Sequence, residues 1–482
     1  MEGTREFILN QITAWVANGS GQKEGNVYWI YGLPGIGKTS LAHSICERLD
    51  DEKQLVGGFF CRRGDSSMGE SRNILPSLIY KLAMVFPLFR AIVAKRLRDK
   101  PNLTPESMQD TLFLEFIRSL PHHLDQHTLV FTIDALDECG SAQSRREILR
   151  VLRDATAEAP WLKIIITSRP EVDIIQHFLN TPATYDLGAD QAATADLRTF
   201  ARHQFSSVAS KWHLPPSWPE EPLLEGVISQ ANGLFIFVET FALALQKCGD
   251  PKETLKKTLE GSASNGSERL YNLYSSIVEA HSNTAGFWRM IVVITTAQHS
   301  SLCKEPIAKL AGVEPYLVEK LADDLSSLLY RDQGADGGIR VRHLSIYEFF
   351  VSDRCDYQAN LQAAHMEQGI ACLKTMVGQL RFNICNLKDS RLANADVTDL
   401  QLRIEQNISD ALQYSCLYWS NHLCSSPSHS NYDPRVLRSL KEFMGWLYPL
   451  FWIEVLSIMG MVPIGAPSLR RVISWVKVST RH

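Results

Sequence analysis

Val27-Tyr-Trp-Ile-Tyr-Gly32-Leu33-Pro34-Gly35-Ile36-Gly37-Lys38-Thr39-Ser40-Leu41 follows the pattern G-x-x-x-x-G-K-[ST] from Gly32 to Thr39. An apolar run rich in aromatic residues precedes it and an amphipathic stretch follows, which is the strand-loop-helix context a phosphate loop requires. The glycines let the backbone enter positive φ, so successive N–H groups between Gly32 and Ser40, together with the following helix N-terminus, turn toward phosphate oxygens. Lys38 supplies a cation for the β- and γ-phosphates, and the Thr39 hydroxyl is the expected Mg²⁺ ligand. The stretch predicts a bound nucleoside triphosphate. Base contacts come from other loops, so the motif fits ATP or GTP equally.

Further along, Leu129-Val-Phe-Thr-Ile-Asp134-Ala-Leu-Asp137-Glu138-Cys139 is an apolar run ending in three carboxylates. A buried strand here would deliver Asp134 to the magnesium water shell, as the Walker B acid of a phosphate-loop enzyme. The next residue is Ala135, not glutamate, so Asp137 and Glu138 are the candidate water-activating groups. The competing reading is a strand-end turn whose acids cap a helix beginning near Ser141. Lys163-Ile-Ile-Ile-Thr167-Ser168-Arg169-Pro170 reads as another buried strand ending on the same sheet edge. Ligands of open parallel sheets bind at the carboxyl ends of strands, so Thr167 and Arg169 are placed to read a γ-phosphate. A solvent-facing arginine is the alternative there.

A chain of 482 residues is too long for one ordinary core, and typical domain sizes suggest roughly three domains. The formal net charge of −4 argues against a general nucleic-acid or anionic-membrane surface. The basic run Arg90–Lys100 interleaves apolar residues at helical spacing and predicts a solvated helix face. Ten cysteines are scattered without C-x-x-C pairs or partnered histidines, which predicts reduced thiols and a cytoplasmic protein. The N-terminus has no charged-then-apolar signal segment. Gly445–Ala466 is the stretch most like a membrane span, but Glu454 sits at its centre and Pro449 and Pro463 interrupt it. A buried C-terminal helix pair is expected instead.

The first two-fifths alternate short apolar runs with amphipathic stretches, the pattern of a parallel sheet covered on both faces. Strands are predicted at Asn26–Tyr31, Leu55–Cys61, Thr128–Asp134, Leu162–Ser168 and Ala183–Leu187, with helices at Lys38–Leu49, Ser71–Arg98, Pro105–Leu120 and Ser141–Glu158. From Asp190 a period near 3.6 takes over. The predicted architecture is a P-loop α/β domain over 1–189, a helical lid over 190–260, a winged-helix domain over 268–355 and a C-terminal helical domain over 356–482. Gly261–Ser267 is the expected linker. The wing is a hairpin of Leu328–Arg331 and Ile339–His343 around Gly334–Gly338, and a polar break is expected at Ser425–Asn431.

These residues resemble the NACHT-type STAND NTPases, and among them the fungal NLR-like proteins related to the nephrocystin-type N-terminal module. The similarity rests on the phosphate loop, on Asp134-Ala-Leu-Asp137-Glu138-Cys139 with its small residue after the first acid, and on Thr167-Ser-Arg169-Pro. Gly3-Thr-Arg5 with Ile12 and Trp15, Gly233-Leu-Phe-Ile-Phe237, and Arg342-His343-Leu-Ser345-Ile-Tyr-Glu-Phe349-Phe350 add to it. So do Tyr414-Ser-Cys-Leu-Tyr-Trp419 and Trp452-Ile-Glu-Val-Leu-Ser457. The resemblance is specific over the first 190 residues and rests on spaced short motifs beyond. It implies that His343, in the winged helix, contacts the β-phosphate of bound diphosphate and locks a closed form. Gly233-Leu-Phe-Ile lacks the proline of the related lid motif, so no adenine contact is assigned to it. The family's usual N-terminal effector and C-terminal repeats are not read here, so the chain is expected to be a fragment of a larger gene or a minimal switch acting through partners.

The function expected on this basis is a signalling switch. An ADP- or GDP-bound closed form exchanges for an ATP- or GTP-bound open form with Mg²⁺, hydrolyses slowly, self-associates and engages a protein effector or repeat-domain partner. The resemblance points to fungal innate immunity, heterokaryon incompatibility or programmed cell death. Two other classes fit the motifs: a cycling AAA-like ATPase, for which neither an arginine finger nor an adjacent base is identifiable, and a non-hydrolysing nucleotide-binding scaffold. Neither nucleic acid nor membrane is an expected partner.

Overall fold

Two strands, β3 (Leu129–Asp134) and β4 (Leu162–Ser168), are buried along their whole length, as runs such as Leu-Lys-Ile-Ile-Ile-Thr-Ser must be when a parallel sheet is covered on both sides. The computed structural model describes residues 4–17, 25–63, 68–99, 111–119, 128–179, 183–190, 193–260, 266–297, 302–331, 337–355, 361–389, 392–425 and 433–479. Contacts divide the chain into two compact units, Met1–Leu270 and Tyr271–His482.

The first unit is built on a five-stranded sheet. Its order is β2 (Leu55–Phe60), β3, β4, β1 (Val27–Tyr31) and β5 (Thr184–Asp186), and every pairing is parallel. Side chains alternate across this sheet. Trp29, Phe131, Ile133, Ile164 and Ile166 enter one apolar cluster, while Tyr28, Ile30, Val130 and Ile165 enter the other. Helices α1 (Glu6–Ala17) and α2 (Lys38–Asp51) supply Ile8, Ile12, Trp15, Leu41 and Ile45 to the second cluster. The opposite face is covered by α3 (Ile74–Val85), α4 (Pro87–Asp99), α5 (Thr111–Arg118), α6 (Ala142–Glu158) and α7 (Val172–Phe178). Ile165 is fully buried in the central strand, so truncation to alanine would cost about 2–5 kcal/mol.

One helix was expected over Ser71–Arg98, and the structure has a short 3₁₀ turn at Ser71–Asn73 followed by two helices. Pro87 is the cause: its ring excludes the helical conformation at Phe86, which is extended at φ −114 and ψ 101. Exposed Arg90, Lys95 and Arg98 lie on α4 opposite buried Phe89 and Val93, the solvated face that the spacing predicts. Of the expected helix Pro105–Leu120, residues 111–118 are helical, and 105–110 and 120 lie outside the described residues.

The unit continues with α8 (Ala193–Lys211), α9 (Glu221–Ala231), α10 (Phe235–Leu245) and α11 (Pro251–Glu260), joined around Phe205, Phe237 and Phe241. In the expected linker, residues 261–265 lie outside the described residues, and Gly266 begins α12 (Gly266–Glu279).

The second unit is mostly helical. It runs through α13 (Phe287–Thr296), α14 (Lys304–Ala311) and α15 (Pro315–Asp324) to an antiparallel pair, β6 (Leu329–Arg331) and β7 (Ile339–Val341). Leu302 adds a single antiparallel bridge to Ile339. Of the predicted hairpin turn, 334–336 lie outside the described residues. Then follow α16 (Leu344–Val351), α17 (Leu361–Gln379), α18 (Leu400–Asn407), α19 (Asp410–Ser425), α20 (Pro434–Met444), α21 (Tyr448–Ile458) and α22 (Gly465–Ser479). The predicted polar break at 425–431 falls almost wholly outside the described residues. Trp452 of α21 is fully buried edge-on against Trp419, and its indole N–H donates to the Cys416 carbonyl at 2.9 Å. Glu454 accepts from the Asn383 amide at 3.2 Å. Among the described residues no helix is long and apolar enough to cross a membrane.

Candidate functional site

The turn between β1 and α2 takes the phosphate-loop shape because Gly35 and Gly37 stand at φ 79 and φ 97, where a side chain would be strained. Gly37 is the N-cap of α2, so the helix starts at Lys38 with its amides pointing into the loop. Lys38 folds back over that loop: Nζ donates to the Gly32 carbonyl at 2.8 Å and to the Leu33 carbonyl at 2.9 Å. Burial pushes the Lys38 ammonium down to about 8; Asp137 opposes the shift and Arg169 adds to it. The cation is thus held beside the loop, desolvated within the field of Asp137, Asp134 and Glu138, where phosphate oxygens would favour its charged form further. Leu33 is half exposed, and Thr39 and Ser40 are exposed in the first turn of α2.

Asp134 ends β3 almost wholly buried. Burial raises its pKa, opposed by hydrogen bonds from the Thr167 and Thr39 hydroxyls and by the charges of His43 and Lys38. The two residues expected to hold magnesium, Thr39 and Asp134, therefore meet, with hard oxygen donors suited to that ion. Thr167 on neighbouring β4 donates to Asp134 Oδ1 at 2.5 Å and accepts from the Ala135 amide at 3.0 Å. That second bond supports Ala135 in the left-handed region, φ 53 and ψ 47, where most side chains would cost about 1–2 kcal/mol. The turn redirects the chain into Leu136–Glu138 and brings the next two acids back to the sheet edge.

Those acids have different surroundings. Asp137 is buried: its Oδ1 accepts from the Arg169 amide at 2.9 Å, and its Oδ2 lies 3.3 Å from Arg169 Nε. Glu138 is half-buried and accepts from the Arg63 amide at 3.3 Å. Burial raises Glu138 to about 7, Asp137 adds to the rise, and the Arg63 amide and Arg169 oppose it. A carboxylate tuned to neutrality at a sheet edge is the chemical profile of a general base. Neither acid caps α6. Ser141 does, in a reciprocal pair with Ser144 in which each backbone amide meets the other's hydroxyl, at 2.9 and 3.2 Å.

Three supports of the site make contacts that the sequence does not reveal, although Arg5 and Gly233–Phe237 stand out there as motifs. Arg145 on α6 makes a buried two-pronged pair with Asp173 at 2.9 and 3.1 Å and donates to the Gly140 carbonyl at 3.2 Å, fastening the loop that follows the acids. Arg5 is buried; its Nη1 donates to Asp190 at 2.8 Å, its Nη2 to the Ile36 carbonyl at 3.1 Å, and its backbone amide to Asp196 at 3.0 Å. The Ile236 amide donates to the Gly35 carbonyl at 3.2 Å, and Phe235 lies beneath the Arg5 guanidinium, 5.2 Å from ring centre to Cζ. The Gly-Thr-Arg element and the start of α10 therefore both grip the phosphate loop.

His343 lies in the second unit as the N-cap of α16. Its Nδ1 accepts from the Ser345 amide at 3.1 Å, and the Ser345 hydroxyl meets the Tyr274 hydroxyl at 2.8 Å. An accepting Nδ1 assigns the ring proton to Nε2.

Residues 3–169 match the family model described as Nephrocystin 3, N-terminal. No curated protein matches the chain in sequence. Among solved structures, the Walker-type ATPase of Pyrococcus abyssi is 14% identical with a TM-score of 0.36, over 72% of this chain and 95% of that one. The signal transduction ATPase with numerous domains (STAND) that carries a tetratricopeptide repeat sensor, from Pyrococcus horikoshii, is 13% identical with a TM-score of 0.39, over 98% of this chain and 63% of that one. The Aeropyrum pernix ORC1 protein in complex with DNA is 11% identical with a TM-score of 0.33, over 73% and 93%. On its phosphate loop, its parallel sheet and the match over residues 3–169, the first part of this chain is similar to a NACHT/STAND-like P-loop NTPase module.

Proposed function

We propose that the chain is a nucleotide-dependent signalling switch of the STAND type, binding ATP or GTP and hydrolysing it slowly. The observation that carries this reading is the meeting of Lys38, Asp134, Glu138 and Arg169 at one sheet edge, with Arg169 paired to Asp137. The residues fit Mg²⁺, which Thr39 and Asp134 would hold and which would neutralise phosphate charge. The phosphate loop from Gly32 to Ser40 cradles the phosphates, with Lys38 released from its carbonyl contacts to meet them. Glu138 takes a proton from the attacking water, and Asp137 positions Arg169. Arg169 reads the γ-phosphate by exchanging one anionic partner for another, which makes the site sensitive to the difference between tri- and diphosphate.

In this reading 1–189 is the NACHT domain, 190–260 its lid, 268–355 a winged helix and 356–482 a helical domain. His343 donates from Nε2 to the β-phosphate in a closed diphosphate form. The open triphosphate form self-associates and engages a protein effector or repeat-domain partner in the cytoplasm, without nucleic acid or membrane. The setting suggested by the resemblance is fungal innate immunity, heterokaryon incompatibility or programmed cell death. Full conversion between the forms requires a difference of about 5 kcal/mol between the two nucleotides' preferences. The test is equilibrium binding of a fluorescent triphosphate to the parent and to Lys38→Ala. Strong binding lost in the folded variant supports the reading, and equal binding by both proteins contradicts it.

A further inference from the structure

The Trp29 indole N–H donates to the Ser168 hydroxyl at 2.8 Å, and that hydroxyl donates to the Arg169 carbonyl at 2.8 Å. The register of the sheet brings the first two together. Strand β1 pairs with β4 so that Trp29 lies beside Ile166 and Tyr31 beside Ser168, and alternation puts all four side chains on one face. Trp29 and Ser168 are both buried, where an indole donor requires an acceptor. The indole also stacks on Phe178 of α7, with ring centres 4.9 Å apart at 14°, and on Tyr31, 4.3 Å apart at 25°. The core thus fixes the indole, and the indole holds the Ser168 hydroxyl.

The Arg169 backbone is pinned at both ends. Its carbonyl accepts from the Ser168 hydroxyl and from the Glu171 amide at 2.9 Å, and its own amide donates to Asp137 Oδ1 at 2.9 Å. Its guanidinium pairs with Asp137 at 3.3 Å. A side chain that must reach one set of phosphate oxygens is selective to the extent that the backbone it starts from stays in place. We infer that Ser168, held by the Trp29 indole, is a positioning residue for Arg169 and sets the preference for triphosphate over diphosphate. The inference rests on the reading of Arg169 as the γ-phosphate contact and adds the buried residues that aim it.

The experiment is competition of ATP and ADP, and separately of GTP and GDP, against a fluorescent diphosphate on the full chain with Mg²⁺. Ser168→Ala should lower triphosphate affinity by about three- to tenfold and leave diphosphate affinity as in the parent. The stranded indole N–H lowers stability in this variant, so diphosphate affinity is the measure of an intact loop. In an Arg169→Ala background the same change should have no further effect on triphosphate, because it acts through the arginine. Trp29→Phe removes the indole donor and keeps an aromatic ring, so it should shift the preference in the same direction and decides the matter if Ser168→Ala does not fold. Parent-like preference in the folded variant, equal loss of both nucleotides, or an undiminished effect without Arg169 would each overturn the inference and leave the arginine reading standing. Parent-like preference in Arg169→Ala would overturn that reading and the inference with it.

Discussion

Arg169 is joined to Asp137 twice, by its backbone amide at 2.9 Å and by its guanidinium at 3.3 Å, although the two residues end different strand-loop segments. The pair gives two adjacent acids different surroundings. Asp137 is paired with the Arg169 guanidinium, while burial raises its neighbour Glu138 to about 7, which in the proposed switch makes Glu138 the base. Replacing Glu138 with glutamine should lower single-turnover hydrolysis by about 10²–10⁴-fold and leave triphosphate affinity within a few-fold of the parent. Asp137→Asn should instead change nucleotide preference more than the hydrolytic step. Equal losses of turnover in both variants would return the two acids to a shared role.

Arg169→Ala should lower triphosphate affinity by about tenfold or more and leave diphosphate binding nearly constant, because a desolvated charge-assisted contact to the γ-phosphate is worth about 1.5–3 kcal/mol. Competition of both nucleotides against one fluorescent probe measures this. A uniform loss would mean that the arginine only braces the sheet edge.

The pH dependence follows from two shifted groups of opposite sign. Glu138 is raised to about 7 and must be ionised to accept a proton, so turnover should climb through pH 7 and level off above it. Lys38 is lowered to about 8 and must be protonated to hold phosphate, so triphosphate affinity should fall as pH rises past 8. Bound phosphate lifts the lysine pKa again, so binding near pH 8 should take up protons and kcat should keep only the acidic limb. Calorimetry in buffers of different ionisation enthalpy detects that uptake. A pH-independent kcat in the parent, or an acidic limb retained in Glu138→Gln, would exclude Glu138 as the base.

Much of the sheet and the shape of the turn at Gly35 and Gly37 are legible in the chain itself. Leu129–Asp134 and Leu162–Ser168 are continuous apolar runs whose ends carry the polar residues, and a motif that fixes a backbone shape fixes its neighbours too. What escaped was long-range. Nothing local says that Arg145 will pair with Asp173, that Arg5 will cap the Ile36 carbonyl, or that Ile236 will donate to Gly35, because each contact joins segments distant in sequence. The helix break at Pro87 was legible in principle, and apolar periodicity across it concealed the proline.

Arg145→Ala should destabilise the first unit by about 3–5 kcal/mol, since it leaves the Asp173 carboxylate buried without its partner. Replacing both residues with apolar ones of similar size should recover part of the loss. Chemical denaturation gives the comparison, and a near-neutral single variant would show that solvent reaches Asp173.

His343→Leu should speed diphosphate release and raise the self-associated fraction without a trigger, because, beyond the cap bond to the Ser345 amide that both forms lose, it removes one hydrogen bond, about 1–3 kcal/mol, from the closed form only. Stopped-flow release of a labelled diphosphate reports it. Unchanged release from folded variant protein would leave His343 as the cap of α16 alone.

The most direct test of the switch is the molar mass of Glu138→Gln in solution, by light scattering with Mg²⁺ and either triphosphate or diphosphate. The account predicts a larger assembly with triphosphate, a smaller species with diphosphate, and no difference when Lys38→Ala is added. The same mass with both nucleotides, each shown to be bound, would contradict it.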